Sequence, residues 1–540
     1  MNRLCRSVAA AWVAALCLGS LAGLPAGAAD NGDGTYTNPP LYADYPDPDI
    51  IRVGQDFYFV TTTFANSPGL TLLHSKDLVN WAFAAHLVER LDGDERFDLK
   101  KGGAYRHGMF AASLRHHAGM FYVAVTPVNQ NTRIYYSKDI KGPWAFHTLD
   151  RPAFDPALFI EPDGKAYIAT SGGWDGTVTL LTLSSDFSRV TDSRKVHYYK
   201  GAEGSKLVRR GEYYYLFNAL PSKLALVVSR AKSLLGPWET RPQIDDRSGG
   251  HQGAIVDMPD GGWYGFVMVD AGPIGRMTNI SPVFWEDGWP VWGTKEAPGR
   301  VPAVAPKPIH GKPVLALAAS DDFSAPVLGL QWQWNHNPVD GRWSLGERPG
   351  FLRLKPTEAT EFWTARNTLT QKGQGPWSRG VVSLDVGNMK EGDVCGFGTL
   401  GKFNGHIAVV GGAGGKLSLR MEVIEDTVAG RRSDVRVASL PLPVPAPAQA
   451  SASASASAGK LQLRTDMDFK TNLAEVAYSV DGKQWHGLGG SFKLAYDWRT
   501  GTFQGQQFAL FCYNPKPGAG FLDVDSFEFT RAERPPPRQL

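Results

Sequence analysis

One short phrase occurs five times in this chain of 540 residues: a glycine followed by an aromatic-rich apolar run. The copies are GQDFYFV at Gly54, GMFYVAV at Gly119, GKAYIAT at Gly164, GEYYYLF at Gly211 and GGWYGFV at Gly261. Glycine favours a turn, and aromatic and β-branched residues favour a pleated strand. Turn-and-strand repeats spaced by about 45 to 65 residues are typical of the blades of a β-propeller. Five copies therefore predict five blades.

An ionisable side chain stands shortly before four of the five phrases. Equivalent points of successive propeller blades surround one axis, so residues that are far apart in sequence converge there. Asp and Glu are common in turns, so each of these residues alone has an ordinary structural explanation. Their recurrence at matched positions predicts instead one site with three carboxyl groups and one imidazole. The residues are Asp47, Asp155, Glu203 and His251.

Three carboxyl groups suit the cleavage of a glycosidic bond. One must be protonated to release the leaving oxygen, and another must be ionised to act on water or on the sugar carbon. A third can raise the pKa of the acid by charge repulsion. The distances between the carboxyl groups are not visible in a sequence, so inversion and retention both stay open at this point. His251 lies beside glycines, which favours a structural role or the binding of a metal or water.

Composition and targeting signals narrow the class of protein further. The formal net charge is +3, which does not favour nucleic-acid binding. Aromatic residues make up 11% of the chain, which suits both sugar stacking and a large β-core. Residues 1–28 have charged Arg3 and Arg6, an apolar run and small residues at Ala26–Ala28, and they predict a signal peptide and a secreted or periplasmic protein. No later segment predicts a membrane span.

The chain divides into two strand-rich domains. Residues 29–296 form the predicted propeller, and the proline-rich segment 297–314 is the predicted linker. Residues 315–535 contain alternating strands that predict an antiparallel β-sandwich, interrupted by the low-complexity run PLPVPAPAQASASASASAGK, a predicted flexible loop. Cys395 and Cys512 of this domain could form a disulfide or remain two buried thiols.

Several ordered motifs of the first domain together resemble glycoside hydrolase family 43. The resemblance implies a five-bladed β-propeller and the inverting hydrolysis of β-xylosides or α-L-arabinofuranosides. The matching runs are NPPLYADYPDPDIIRVGQDFYFVTTTF, LLHSKDLVNW, FDPALFIEPDGKAYIA, GAEGSKLVRRGEYYYLF, GHQGAIVDMPDGGWY and GRMTNISPVFWEDGWPV.

The resemblance also implies a role for each site residue. Asp47 would be the general base, Asp155 the residue that modulates the pKa of the acid, and Glu203 the general acid. Arg276 looks like the substrate-binding arginine of the family. His251 matches a histidine that supports a central Ca²⁺ or a structural water in relatives, and no organic cofactor is implied.

The second domain resembles the concanavalin-like β-sandwich appended to xylosidase-type members. In such members a loop of the sandwich reaches the mouth of the active site and shortens the pocket. Here that loop would lie in TGTFQGQQFALF, with Phe503 as the lid; the alternative is that Phe503 is a core residue of a strand. The chain also departs from the family, because Phe110 and Ala112 stand where a Trp-Ala-Pro run is common, which alters an apolar wall of the sugar site.

Three functions are compatible with these features. We expect an exo-acting hydrolase of xylo- or arabino-oligosaccharides; the alternatives are an endo-acting arabinanase and a non-catalytic carbohydrate-binding propeller. The three carboxyl groups argue against a simple lectin, and the appended sandwich argues for a pocket over an open groove. The choice between xylose and arabinofuranose stays open, because an enzyme discriminates between such similar sugars by only about 1–3 kcal/mol of transition-state binding free energy. The oligomeric state is also open.

Overall fold

The computed structural model describes residues 29–172, 175–244, 250–315, 317, 319–434, 440–442, 461–518 and 520–533. The predicted signal peptide, residues 1–28, lies outside the described residues, as does most of the predicted flexible loop, at 443–460. No described helix has the length and apolar character that crossing a membrane requires.

The N-terminal domain is a five-bladed β-propeller, as the repeats predict. Each blade is one antiparallel sheet whose strands follow one another along the chain. In chain order the strands of the blades are: blade 1, Asp49–Val53, Asp56–Thr61, Gly69–Ser75 and Trp81–Val88; blade 2, Ala112–His117, Met120–Val125, Arg133–Ser137 and Ala145–Thr148; blade 3, Ala157–Ile160, Ala166–Ser171, Thr177–Leu183 and Val190–Tyr198; blade 4, Glu203–Arg210, Tyr213–Leu220, Ala225–Ala231 and Glu239–Ile244; blade 5, Gly250–Asp257, Trp263–Asp270, Arg276–Glu286, Trp289–Thr294 and Ala297–Pro298.

The first strands of the five blades form a closed ring. Each contacts the first strands of the two neighbouring blades, and the first strand of blade 5 contacts that of blade 1. The repeated glycines lie in the turn between the first and second strands of their blades, with φ between 61° and 89°. Such positive φ values favour glycine, because it has no Cβ to clash with the backbone. The repeated phrase therefore marks the inner hairpin of every blade.

The C-terminal domain is a β-sandwich of two sheets. Their apolar faces pack together around rings that include Phe397, Phe508 and Phe527. The ten-stranded sheet contains Asn66–Ser67, Gln333–Asn335, Thr357–Glu358, Leu369–Lys372, Val394–Leu400, Phe403–Gly411, Leu417–Thr427, Gly430–Asp434, Leu440–Pro441 and Gln507–Asn514. The eight-stranded sheet contains Trp343–Ser344, Leu352–Leu354, Trp377–Asp385, Leu461–Asp468, Leu473–Ser479, His486–Gly487, Phe492–Lys493 and Leu522–Ala532. The described 3₁₀ helices are Glu95–Asp98, Pro221–Lys223, Gly272–Ile274, Phe362–Thr364 and Ala413–Gly415.

The two cysteines of the sandwich form a disulfide. Cys395 and Cys512 lie directly opposite each other on neighbouring strands of the ten-stranded sheet. Strand pairing thus brings together two residues that are separated by 117 positions in sequence. The sequence allows either a disulfide or two buried thiols here, and the structure has the disulfide.

The two domains share backbone hydrogen bonds. The short strand Asn66–Ser67, which belongs to blade 1 by sequence, pairs with Gln333–Asn335 of the sandwich. The amide of Gln506 donates to the carbonyl of Pro273 at 2.9 Å. Within the predicted linker, Val304–Pro306 pairs with the N-terminal strand Thr35–Thr37. The first two contacts join the sandwich directly to the propeller, and the third joins the linker to the N-terminal strand.

Candidate active site

The candidate residues lie at the beginning of innermost strands. Strands that occupy equivalent places in a propeller start at the same end of its axis, so residues at their beginnings meet. The structure brings the four residues into the lining of one cavity of about 1800 Å³. Asp47 and Asp155 each lie two residues before the first strand of their blade, Glu203 begins the first strand of blade 4, and His251 is the second residue of the first strand of blade 5.

Asp47 is a buried carboxylate with both oxygens held in place. Thr62 Oγ1 donates to Oδ2 at 2.6 Å, and Arg276 Nη1 donates to Oδ1 at 2.9 Å. The backbone of Asp47 has a φ of 52°, and prolines stand on both sides of it. Few residues adopt such a φ without support, and Asp is one of those that tolerate it best. This side chain is therefore rigidly mounted, as a general base must be.

Asp155 keeps its proton to unusually high pH. Burial, followed by the neighbouring charges of Asp47 and Glu203, raises the pKa of Asp155 to about 8. The amide of Gly204 donates to Asp155 Oδ2 at 3.2 Å, which ties this carboxyl group to the residue that follows Glu203. Asp155 is thus a neutral carboxylic acid at pH 7, beside the backbone of the candidate general acid.

Glu203 has the properties of a general acid. Burial raises its pKa, the charge of His251 opposes that rise, the charge of Asp47 adds to it and Arg276 opposes it. The net direction is upward from the ordinary value for a glutamate. A carboxyl group with a raised pKa keeps its proton to higher pH than an ordinary glutamate, as delivery of that proton to a leaving oxygen requires.

Arg276 links the carboxylates to the aromatic wall of the cavity. Its guanidinium lies 4.6 Å from the ring centroid of Phe503 and 5.4 Å from that of Phe64. Its Nε and Nη2 atoms have no hydrogen-bond partner among the described residues. Buried hydrogen-bond donors seldom lack a partner in native protein structures. Arg276 itself lines the cavity, and the substrate-binding role that the family resemblance implies for it stays a prediction.

Phe503 lies in a loop of the sandwich that faces the propeller. It is partly buried, precedes the strand Gln507–Asn514 and lines the cavity, so the alternative of a strand-core residue does not hold. Its ring centroid lies 5.5 Å from Phe64, 6.4 Å from Phe110 and 6.0 Å from Tyr496. Phe110 also lines the cavity, as its place in the sequence predicts. The aromatic wall is therefore built from both domains.

His251 contacts an acidic side chain. Its Nε2 lies 3.3 Å from Asp270 Oδ1, and its Nδ1 is buried without a partner among the described residues. The described residues hold no group of three or more His, Cys, Asp or Glu side chains that could bind a metal together. Calcium takes 6–8 oxygen ligands, so these side chains by themselves do not fit a calcium site. Binding of Ca²⁺ at the propeller centre stays a prediction.

Sequence reasoning did not find six further residues of the site. Thr62 and Phe64 belong to the run TTTF after the first repeat, and Tyr496 and Trp498 form a short aromatic cluster in the second domain; both runs were visible signals. Met268 and Asp270 are ordinary strand residues, and no sequence pattern marks them. Tyr496, Trp498, Met268 and Asp270 line the cavity, while Thr62 and Phe64 support residues that line it.

The fold and the site define a class of protein. Three carboxyl groups, two of them with raised pKa values, line one cavity of the propeller beside an arginine and aromatic rings, and this arrangement is typical of a glycoside-cleaving enzyme. Comparisons with known proteins lead to the family. The profile of glycosyl hydrolases family 43 matches residues 36–290, and that of the beta-xylosidase C-terminal concanavalin A-like domain matches residues 320–530.

Individual relatives agree with these profiles. A beta-xylosidase of Formosa agariphila is 31% identical over 93% of this chain and 91% of its own. A non-reducing end alpha-L-arabinofuranosidase of Bacteroides ovatus is 33% identical over 61% of this chain and 66% of its own. A solved structure of an engineered family 43 glycoside hydrolase, described as having endo-xylanase and exo-arabinofuranosidase activity, is 30% identical, with a TM-score of 0.82 over 92% of this chain and 99% of that one. This chain belongs to glycoside hydrolase family 43, and it is a glycosidase.

Proposed function

We propose that the protein is an exo-acting, inverting glycoside hydrolase that releases terminal β-D-xylose or α-L-arabinofuranose from hemicellulose-derived oligosaccharides. One observation carries this proposal: the carboxylate of Asp47, fixed by Thr62 and Arg276, shares a cavity with Glu203, whose pKa is raised. An ionised base and a protonated acid in one pocket are what hydrolysis of an acetal needs.

The reaction proceeds in one displacement. Asp47 accepts a proton from a water molecule, and the water oxygen bonds to the anomeric carbon. The bond from that carbon to the leaving oxygen breaks, and Glu203 gives its proton to that oxygen. Arg276, which lines the cavity beside Asp47, binds a hydroxyl group of the terminal sugar. Asp155, being neutral at pH 7, places no second negative charge beside the leaving group and keeps the segment around Glu203 in position through Gly204.

The aromatic wall supports attack at chain ends. Phe503 and Phe110 line the cavity beside Arg276 and Asp47, and both rings pack against Phe64. A chain that continued past the terminal ring in that direction would meet these rings. The names of the relatives, a beta-xylosidase and a non-reducing end alpha-L-arabinofuranosidase, agree with removal of single terminal sugars. An endo-acting arabinanase would need an opening where the rings lie.

We propose further that the protein is exported from the cytoplasm. The support is the signal-like sequence of residues 1–28 and the disulfide between Cys395 and Cys512, which suits an oxidising compartment. Expression with and without residues 1–28 tests this proposal. Recovery of both forms in the cytoplasmic fraction alone would contradict it.

Hydrolysis of a defined panel tests the proposed activity. The panel contains xylo-oligosaccharides, arabino-oligosaccharides, 4-nitrophenyl β-D-xyloside and 4-nitrophenyl α-L-arabinofuranoside, and proton NMR follows the first product. We expect a single pentose of inverted configuration as the first product. Early release of longer oligosaccharides would indicate the endo-acting alternative, a retained anomer would exclude the one-displacement mechanism, and binding without hydrolysis would indicate the carbohydrate-binding alternative.

A further inference from the structure

The cavity is much larger than one terminal sugar requires. Its volume is about 1800 Å³, whereas pockets that bury a drug-sized ligand measure about 300–1,000 Å³. The catalytic carboxyl groups and Arg276 occupy one end. The lining also includes the loop 126–131 within blade 2, the loop between blades 2 and 3, and one face of blade 3. This extension has no function in the displacement step itself.

Two solvent-exposed aromatic rings lie in the extended lining. Phe154 of the propeller is 51% exposed and Trp498 of the sandwich is 54% exposed. Phe154 immediately precedes Asp155 in the chain, and both residues line the cavity. Large exposed aromatic rings in a concave site favour a binding role, because their apolar faces are otherwise left in water. Flat apolar rings of this kind suit the faces of sugar rings.

A row of polar side chains crosses blade 3 beside Phe154. Thr170 lies opposite Thr179 in one strand pair, and Thr179 lies opposite Lys195 in the next, so the three share one face of the sheet. All three line the cavity. The hydroxyl group of Thr170 donates to the carbonyl of Phe154 at 2.6 Å, which fixes the backbone under that ring. Hydroxyl and ammonium groups at the edge of an aromatic surface can bind the hydroxyl groups of a sugar chain.

We propose that Phe154, Trp498 and the polar row on blade 3 form binding positions for the leaving-group side of an oligosaccharide, at least two sugar rings beyond the cleaved bond. The bound molecule is the rest of the substrate chain, because this surface and the catalytic carboxyl groups line the same cavity. The enzyme therefore prefers oligosaccharides of three or more units to disaccharides. This inference rests on the proposed exo-acting function.

Chain-length dependence of the reaction tests the inference. The values of kcat/KM are measured for β-1,4-xylo-oligosaccharides of two to five units with the wild type, Phe154→Ala and Trp498→Ala. We expect kcat/KM of the wild type to rise from two units to four. Each variant should lower kcat/KM for four units by roughly three- to tenfold, mainly through KM, and less for two units. Phe146→Ala, which removes a 45% exposed ring outside the cavity, is the matched control and should keep the wild-type dependence.

Binding without turnover gives a second readout. In a Glu203→Gln background, titration calorimetry should show tighter binding of xylotetraose than of xylobiose, and Trp498→Ala should reduce that difference. Equal loss for all chain lengths, or no dependence on chain length in an active wild type, would overturn the inference. A wild type that hydrolyses none of the pentosides would instead overturn the proposed function, so the two failures are distinguishable.

Discussion

The guanidinium of Arg276 lies 4.6 Å from the ring centroid of Phe503, although the two residues belong to different domains. Arg276 begins the third strand of blade 5 and holds the carboxylate of Asp47, and Phe503 lies in a loop of the sandwich. The carboxylate of Asp44 accepts the amides of both Arg276, at 2.8 Å, and Gly505, at 3.0 Å. One buried side chain thus sets the position of the arginine and of the loop that covers it. The sandwich is therefore part of the candidate active site.

Replacement of Phe503 by alanine should impair catalysis more than stability. The substitution removes a cation–π contact and one wall of the cavity, which are worth about 0.5–2 kcal/mol together in such settings. We expect kcat/KM for a disaccharide to fall roughly three- to thirtyfold, with little change in Tm. Phe511→Ala removes a fully buried ring of the same domain and should lower the free energy of unfolding by about 3–5 kcal/mol. A comparable loss of Tm in both variants would show that Phe503 is structural.

Replacement of Asp47 by glycine should remove the base and create a site for an external nucleophile. Glycine tolerates the φ of 52° at this position, so the backbone should keep its conformation. We expect kcat on oligosaccharides to fall by about 10²–10⁴. Added azide should restore turnover of an activated aryl glycoside and yield a glycosyl azide of inverted configuration, detectable by NMR. Azide rescue in a Glu203→Gly variant but not in this one would reverse the assignment of the two carboxyl groups.

Replacement of Glu203 by glutamine should harm natural substrates more than activated ones. A glutamine cannot donate the proton that a sugar alkoxide needs, whereas nitrophenolate departs without one. We expect a loss of about 10²–10⁴ in kcat on oligosaccharides and a smaller loss on 4-nitrophenyl glycosides. Steady-state kinetics on both substrates check this. Equal losses on the two substrates would be inconsistent with a general acid at this position.

Replacement of His251 by glutamine should shift the pH profile upward. The charge of His251 is the largest effect that opposes the rise in the pKa of Glu203, which burial causes first. Without that charge the ionised form of Glu203 is less favourable, so its pKa rises further. The alkaline limb of kcat/KM, which reports the acid of the free enzyme, should therefore move to higher pH. A limb that moves to lower pH would contradict this account of the electrostatics.

Replacement of Asp155 by asparagine should stabilise the protein at neutral pH while reducing activity. Asp155 keeps its proton in the folded state up to about pH 8, because burial and the charges of Asp47 and Glu203 raise its pKa. In the unfolded chain the same group ionises near pH 4. The unfolded state therefore releases this proton as the pH rises from about 4 to about 8, and the stability of the wild type falls across that window. The Tm of the variant should exceed that of the wild type by an amount that grows from pH 4 to pH 8; a constant difference would refute the raised pKa.

The propeller could be predicted from the sequence because each repeat is formed by interactions between residues that are close in the chain. Each repeated glycine is required by a turn with positive φ, and each apolar run that follows pairs with its neighbour in the chain. Asp47, Asp155, Glu203 and His251 could be found for the same reason, since a fixed place before each hairpin becomes a fixed place near the axis. The boundaries at 297–314 and the export signal rest on composition alone, and they stay predictions.

The other features of the site and the sandwich depend on packing between distant parts of the chain. The bond between Cys395 and Cys512, the two hydrogen bonds of Asp44, and the meeting of Arg276 with Phe503 all join residues from separate parts of the chain. No local sequence pattern predicts such contacts, because they depend on how the sheets pack and how the two domains associate. The raised pKa values of Asp155 and Glu203 also depend on the folded structure, since burial and neighbouring charges exist only in the folded protein. The sequence by itself determined which chemical groups are present and the blades that carry them. Only the tertiary structure decided their surroundings, which are the burial, the neighbouring charges and the aromatic wall.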